Sequence, residues 1–329
     1  MEYKVKQLQP NHADHITGYK DKYIDDMITN ETVIAQPKYD GERMLIHINN
    51  GEVYCTSRRF SKKTGRYMEN QDKLPILKEI FKDFKYDYTV IDCEAYSKDW
   101  STAVGILHSL PERAIKLQEE NKMYFACFDC LYFDGDDIRD FDYASRLDAL
   151  VEVLKQIDNI YIHLVDFVEP NTFDIIGLLD VDSIVDRTKI ADMMNSTIEK
   201  GFEGIVLKSL DRKYYDKAAC LKCKKFETVD VIICGYQEGN GKYAGSVGAM
   251  YVGYYDEVTN NVVKISKVNC GTDEEREYCN QHREELLNTV VEIKCQEVTD
   301  KSLRHPVFIR YRPDKDYKMC TKQTIFKES

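Results

Sequence analysis

The chain has 329 residues, 43% hydrophobic and 31% charged, with a formal net charge of −11, a length that accommodates about two domains of roughly 100–200 residues each. Mean hydropathy is −0.50 and no apolar run approaches the ~18 residues of a membrane-spanning helix, which argues against an integral membrane protein. No apolar block with a small-residue cleavage site follows the start, so no secretory signal is expected. The 11 cysteines are odd in number and scattered, which points away from a disulfide scaffold and toward a reducing, cytoplasmic setting. The acidic balance (pI near 5.3) disfavours non-specific nucleic-acid binding. Phosphate binding, however, follows local charge, and residues 57–66 (SRRFSKKTGR) contain no acid, while residues 301–327 are opposed only by Asp314 and Asp316.

Residues 1–32 are polar with no strong period. An apolar run over 32–35 then leads into Gln36-Pro37-Lys38-Tyr39-Asp40-Gly41, which places Lys38 at or just past a strand end. Strands over 44–48 and 53–56 flank Asn49-Asn50-Gly51 and predict a hairpin. Leu74, Leu77, Ile80, Phe81 and Phe84 predict a helix over 72–85. Strands follow at 88–96 and 123–133, helices at 144–157 and 186–200 with Gly201 as C′ residue, and strands at 204–210 and 219–226. After Thr228 short strands alternate with Gly-rich turns, at 231–233, 250–255, 262–268 and 291–298. One helix interrupts them at 273–288, where Thr272 and Glu275 have capping-box spacing. This texture predicts a small β-barrel such as an OB-fold, with a boundary near 229–230.

A lysine at a strand end beside Asp40 and Arg43 can serve as a nucleophile if neighbouring cations, a metal or burial help it lose its proton. Alone, a lysine beside an Asp-Gly turn is usually just a surface turn residue. Further segments supply what nucleotidyl transfer requires, namely positioning and charge neutralisation at phosphorus. Asp92-Cys93-Glu94 puts two carboxylates on one strand face. Glu203 precedes the strand at 204–210, and Lys222-Cys223-Lys224 puts two ammonium groups on one face.

In order, Lys38-Tyr39-Asp40-Gly41-Glu42-Arg43, Ser57-Arg58-Arg59, Asp92-Cys93-Glu94, residues 125–135 (FACFDCLYFDG), residues 203–208 (EGIVLK), Leu221-Lys222-Cys223-Lys224 and residues 304–315 (RHPVFIRYRPDK) resemble the serial motifs of ATP-dependent DNA ligases. The resemblance runs from about Ile34 to Lys315. It implies an α+β fold: a nucleotidyltransferase domain of ATP-grasp-like antiparallel sheets with helices over 1–229, and a C-terminal OB-fold β-barrel over 230–329. It implies that Lys38 becomes adenylylated and that Arg43 and Arg58 hold the AMP phosphate, the ribose or the nick phosphate. Glu94 would bind the ribose hydroxyl, and Phe128 would stack on adenine. Glu203, with Asp40, would coordinate Mg2+, for which Mn2+ can substitute. Lys222 and Lys224 would grip the α-phosphate, and Arg310, Arg312 and Lys315, with Asp314, would close over ATP and orient pyrophosphate to leave. The implied partner is nicked double-stranded DNA, sealed by a monomer without a membrane, in the host cytoplasm if the protein is viral.

Two positions depart from the family pattern. Gln36 stands where many relatives carry Glu, and its amide can still hydrogen-bond the adenine edge. Cys220 stands where many carry Trp. With only 37 residues ahead of Lys38 and no long insertion in the OB region, the chain resembles the minimal two-domain ligases of phages and viruses. An mRNA capping guanylyltransferase and an RNA ligase share the lysine chemistry; Tyr39 and Glu42 argue against the first, the final Arg-rich motif against the second. A catalytically silent OB-fold binding protein has no need of this lysine and acid set. Two C-x-x-C pairs, at 127–130 and 220–223, stand about 90 residues apart, far beyond usual zinc-site spacing, so the cysteines read as small core residues. Trp100 reads as a packing residue. The basic run at 58–66, beside Phe60 and Tyr67, reads as a contact for DNA phosphate rather than a merely solvated loop.

Overall fold

A computed structural model describes residues 32–63, 65–157, 159–166, 187–216, 219–224, 226–299 and 301–326; the polar stretch 1–31 lies outside them. The chain divides into two compact units, Met1–Lys224 and Lys225–Ser329. In chain order the first contains β1 (Val33–Pro37), β2 (Glu42–Asn49), β3 (Glu52–Ser61), β4 (Arg66–Glu69), α1 (Pro75–Ile80), β5 (Thr89–Tyr96), α2 (Trp100–Leu107), α3 (Pro111–Glu120), β6 (Tyr124–Phe133), β7 (Asp136–Asp137), α4 (Tyr143–Lys155), β8 (Ile162–Leu164), α5 (Arg187–Glu199), β9 (Gly204–Ser209) and β10 (Cys220–Lys224).

Two sheets result. The larger is ordered β4-β3-β2-β5-β6-β7, antiparallel throughout, with β8 added parallel to β6. The smaller is β1-β9-β10, also antiparallel. The β2–β3 hairpin turns at Asn50 and Gly51, both at positive φ (50° and 77°), the conformation a two-residue type I′ turn requires. Met44, Ile46 and Ile48 then face a core that includes Leu74, Leu77, Phe81, Ile91 and Phe125. Leu45, on the opposite face, packs with Val90, Leu131 and Tyr214. The central strands are therefore covered on both faces. The smaller sheet buries Val33, Ala35, Ile205, Leu207 and Leu221 against Ile190 and Met193 of α5.

Helix α4 starts on Asp142, whose side chain accepts from the Ser145 N–H at 2.8 Å, and lays Leu147, Leu150 and Val153 on the larger core. Helix α5 ends before Gly201, at φ 91°, as its sequence predicts. The helix expected over 72–85 is shorter. A 3-10 turn at Gln71–Lys73 is followed by α1, which begins at Pro75. Proline disfavours the α conformation in the residue before it, and Leu74 sits at φ −124° and ψ 63°. The apolar period still serves burial, since Leu74, Leu77, Phe81 and Phe84 all reach the core.

The second unit contains β11 (Glu227–Glu238), β12 (Val247–Asp256), β13 (Asn261–Val268), α6 (Asp273–Gln281), α7 (Arg283–Leu286), β14 (Val290–Cys295), β15 (Glu297–Thr299), β16 (Ser302–Arg304), β17 (Val307–Tyr311) and α8 (Lys322–Ile325). Its main sheet is ordered β13-β12-β11-β14-β17, with β15 and β16 as a separate two-stranded ladder. Val231, Ile233, Met250, Val252, Ile293 and Phe308 belong to its core. Strand β11 runs through residues 229–230, and the compact units divide ahead of it. Thr272 and Glu275 form the expected capping box on α6. The helix expected over 273–288 breaks at His282 (φ −114°), where the imidazole Nδ1 lies 2.9 Å from the Tyr278 carbonyl that the His282 N–H also reaches.

All 11 cysteines are free, and all but Cys220 and Cys234 are buried. Among the described residues no cluster of three or more His, Cys, Asp or Glu is placed to hold a metal. No described helix is long and apolar enough to cross a membrane. Trp100 opens α2 at the surface, where it is 42% exposed.

Gly204 sits at φ 141°, and a Cβ there would press on the Cys223 carbonyl of β10. Both the backbone angle and the close approach select glycine. Gly204→Ala should cost about 1–3 kcal/mol and lower Tm by at least about 2 °C; a melt unchanged from the parent would show that the strand accommodates the side chain.

Candidate active site

The smaller sheet assembles the charged centre. The ladder between β1 and β9 continues past Pro37: the Lys38 N–H donates to the Gly204 carbonyl (2.8 Å), and the Glu203 N–H donates to the Lys38 carbonyl (3.0 Å). Two residues 165 positions apart in the chain are thereby held side by side, and the Lys38 ammonium contacts the Glu203 carboxylate directly. On the other edge of β9, Lys224 pairs with Gly204 and its Nζ lies 3.1 Å from the same Glu203 oxygen. One carboxylate, 6% exposed, thus stands between two ammonium groups. Burial lowers the pKa of Lys224, and the Lys38 charge lowers it further.

Glu94 comes from β5 of the larger sheet, opposite Arg43 of β2. Burial raises its carboxyl to about 7, against the attraction of Lys38, Arg43 and Lys222 and with the Glu203 charge adding to the rise. The four sequence-selected groups Lys38, Arg43, Lys222 and Glu203 therefore all lie within electrostatic reach of Glu94. Arg43 itself is held by Asp92: its Nε donates to Oδ1 at 2.8 Å, its Nη2 contacts Oδ2, and Nη2 also reaches the Tyr214 hydroxyl at 2.9 Å. The expected face-sharing of Asp92 and Glu94 divides the work. Asp92, fully buried, orients Arg43, while Glu94, two residues on along the same face, lies toward the less buried end of the strand. Asp40 follows Lys38 in the half-buried turn before β2. Arg58 lies on the exposed end of β3, with Arg59 and Phe60.

Phe128 occupies a β-bulge. Asp92 pairs with Asp129 and Cys93 with Cys127, so Phe128 is the extra residue of β6; a bulge re-aims the side chain it carries. The Arg43 guanidinium lies 5.6 Å from the ring centroid and the Lys208 ammonium 4.4 Å. Lys208, on β9, closes the 203–208 motif and has no role in the sequence reading, although a lysine in an otherwise apolar strand signals a partnered buried charge. Its Nζ donates to the Phe128 carbonyl (3.0 Å) and to the Tyr143 hydroxyl (3.1 Å), and burial lowers its pKa to about 8. Gln36, buried on β1, donates from Nε2 to the same hydroxyl at 3.1 Å.

Arg310, Arg312 and Lys315 form their own cluster in the second unit. Arg310 pairs with Glu292 (2.6 Å). Arg312 meets Asp314 (2.8 Å), Asp230 (3.2 Å) and Glu292 (3.7 Å), and Lys315 contacts Asp230. The neighbouring Arg312 guanidinium lowers the pKa of Asp314 to about 2.

The raised pKa of Glu94 fixes the sign of a pH effect. The folded protein binds this proton more tightly than the unfolded chain, whose carboxyl titrates near 4.5. Between the two values folding takes up a proton, so this group's contribution to stability falls as pH rises. Glu94→Gln keeps the shape and removes the titration. Its Tm relative to the parent should therefore climb between about pH 5 and about pH 7; parallel melting curves for the two proteins would exclude a raised pKa.

Comparison with known proteins bears on the same residues. A family model described as the ATP-dependent DNA ligase domain matches residues 19–224, a span that includes Lys38, Glu94, Glu203, Lys222 and Lys224. The chain is 26% identical over 246 residues to the DNA ligase of vaccinia virus (strain Ankara), covering 71% of this chain and 41% of the viral protein. It is 27% identical over 256 residues to a probable DNA ligase of Dictyoglomus turgidum, covering 73% and 40%. The chain thus spans about two fifths of the length of these relatives. Two solved structures share its fold: one named Pmar-Lig_PreS3, with a TM-score of 0.68 at 20% identity over 89% of this chain and 66% of that one, and a Lig E DNA ligase, with a TM-score of 0.62 at 18% identity over 90% and 97%. The match to the family model over most of the first unit, on the strands that carry the paired lysines and the acids, places this chain in the ATP-dependent DNA ligase domain family.

Proposed function

We propose that this chain is an ATP-dependent DNA ligase that seals nicks bearing a 5′-phosphate and a 3′-hydroxyl in duplex DNA. The observation that carries the reading is the Lys38–Glu203–Lys224 arrangement: a half-buried lysine at a strand end, in contact with a carboxylate that a second lysine also holds. An ammonium has no lone pair, so Lys38 must give up its proton before it attacks, and the Glu203 carboxylate in contact with it is the base that takes the proton. The Nζ lone pair then forms a bond to the α-phosphorus of ATP as the bond to the bridging oxygen breaks and pyrophosphate leaves. An oxygen of the DNA 5′-phosphate next displaces the lysine to give DNA-adenylate. Finally the 3′-hydroxyl attacks that phosphate and AMP departs.

The residues divide the labour. Lys222 and Lys224 neutralise phosphate charge, a contribution that grows as charge develops in the transition state. Glu94 accepts from a ribose hydroxyl, and Phe128, re-aimed by its bulge, offers an aromatic face to the base. Arg58, Arg59, Lys62, Lys63 and Arg66 lie on or between the exposed ends of β3 and β4 with Phe60, which is 51% exposed; they suit DNA phosphate. Magnesium fits the donor set, because Mg2+ is held by one or two carboxylates plus substrate phosphates rather than by an all-protein cage. Glu203, whose oxygen already attracts two cations, and Asp40 are the residues to hold it. When bound it neutralises charge on the phosphates. The second unit, with its five-stranded antiparallel sheet and separate two-stranded ladder, is read as the OB-fold that brings Arg310, Arg312 and Lys315 to the triphosphate. The first unit is read as the adenylation domain, and the protein as a monomer on nicked DNA.

Incubation with Mg2+ and α-labelled ATP should leave label on the protein that survives denaturation. Lys38→Ala should abolish it, and a chase with nicked duplex should transfer it and yield a sealed strand. Label from GTP instead would indicate a capping guanylyltransferase, and label chased only by nicked RNA an RNA ligase.

A further inference from the structure

The Tyr143 hydroxyl joins three groups. It donates to the Phe128 carbonyl at 2.6 Å and accepts from Gln36 Nε2 at 3.1 Å and from Lys208 Nζ at 3.1 Å. A tyrosine hydroxyl has one proton and two lone pairs, and all three are used. The direction of each bond follows from proton accounting. A carbonyl oxygen has no proton, so a 2.6 Å approach of two oxygens requires that the tyrosine supply it. An ammonium can only donate. The Gln36 contact must then be an N–H donated to the hydroxyl, because no proton remains to offer an amide oxygen. Burial raises the Tyr143 pKa well above its ordinary value, with Asp129 adding to the rise, so the proton stays in place. Tyr143 is 2% exposed and Gln36 2%, and water does not compete. The Gln36 amide, which could otherwise turn over, has a single orientation, with Oε1 left as an acceptor.

We propose that Tyr143 is the positioning residue that sets base selectivity, locking the Gln36 amide so that its oxygen reads the 6-position of a purine held on Phe128. An acceptor there pairs with the 6-amino group of adenine and faces the 6-oxo group of guanine with a second acceptor. A buried polar edge that meets the wrong partner rejects it strongly. The proposal rests on the nucleotidyl-transfer reading above. It adds to that reading a residue outside the serial motifs, on the first turn of α4.

The test compares self-labelling by α-labelled ATP and GTP, and equilibrium binding of AMP and GMP by calorimetry, in the full chain. Tyr143→Phe frees the amide to turn its amino group outward and should reduce the ATP:GTP labelling ratio by about tenfold or more. A carboxylate has no orientation to lose, so the double variant Tyr143→Phe with Gln36→Glu should recover a ratio within about threefold of the parent. An unchanged ratio in Tyr143→Phe overturns the proposal, and so does a lost ratio that the double variant fails to recover, since that would be structural damage. If Tyr143→Phe does not melt as a folded protein, Gln36→Leu takes its place: a retained preference for ATP overturns the proposal and a lost one supports it. A parent protein that binds AMP over GMP but takes no label from either triphosphate would overturn the ligase reading while supporting the base-reading role. One that binds neither monophosphate would overturn both.

Discussion

One carboxylate between two ammonium groups is the constraint on which the first unit turns. The Glu203 carboxylate cannot stand buried without cationic partners, because an isolated buried carboxylate costs several kcal/mol. Lys38 and Lys224 supply them from the strands on either side. The backbone makes this possible before any side chain is considered. The ladder carries on through Lys38 and Glu203, so Lys38 is held by two main-chain bonds at the point where the strand would otherwise fray. Gly204 lies between the two lysine-bearing strands, at a φ that suits glycine and a distance from Cys223 that leaves no room for a side chain. The charge arrangement and the backbone conformation are one feature seen at two levels.

The second sheet contributes groups whose positions depend on buried arginine–aspartate pairs. Asp92 fixes Arg43, and Asp129 fixes Arg146 through bonds of 2.8 and 3.0 Å. These two aspartates are directly paired across β5 and β6, where like charges would repel if either lacked its arginine. The bulge that places Phe128 beside them shifts the register by one residue. Without that shift the side-chain alternation of β6 would continue unbroken through Phe128. Aromatic ring, arginine pairs and Glu94 therefore share one local irregularity.

Much of this is legible in the sequence. The Asn-Gly hairpin, the Asp142-initiated helix, the capping box at Thr272 and the order of the charged motifs each rest on local chemistry that a sequence displays. The rest depends on register or on long-range pairing. The helix expected over 72–85 has the right apolar spacing, but Pro75 and the conformation it imposes on Leu74 allow only one short helix, and periodicity alone does not distinguish a helix from a buried turn. Trp100 follows the general preference of tryptophan for burial, yet its place at the first turn of α2 leaves it at the surface. Lys208 and Tyr143 lie 65 residues apart in sequence and carry no spacing signal; only the fold brings them to one hydroxyl. Asp92 and Glu94 look equivalent in the sequence, and burial alone separates the one that orients an arginine from the one that faces the site.

Burial also separates the two groups of ion pairs. In the first unit Arg146 and Asp129 are 3% and 6% exposed, and removing one member of such a pair costs about 3–5 kcal/mol because the other is left charged and unpaired. That magnitude makes the pair part of the frame, and a frame of this stiffness is what holds Phe128 and Tyr143 within hydrogen-bonding tolerance of each other. In the second unit the Arg310–Glu292 and Arg312–Asp314 pairs each have one exposed member, Arg310 at 61% and Asp314 at 62%, which moves them toward the about 0–1 kcal/mol of exposed pairs. Their carboxylates can give way to another anion at little cost to the fold. The Arg146 cation of the first unit is committed to structure, whereas Arg310 of the second stands at the surface, where a phosphate can compete for it. The difference follows from exposure, since the residue types are the same.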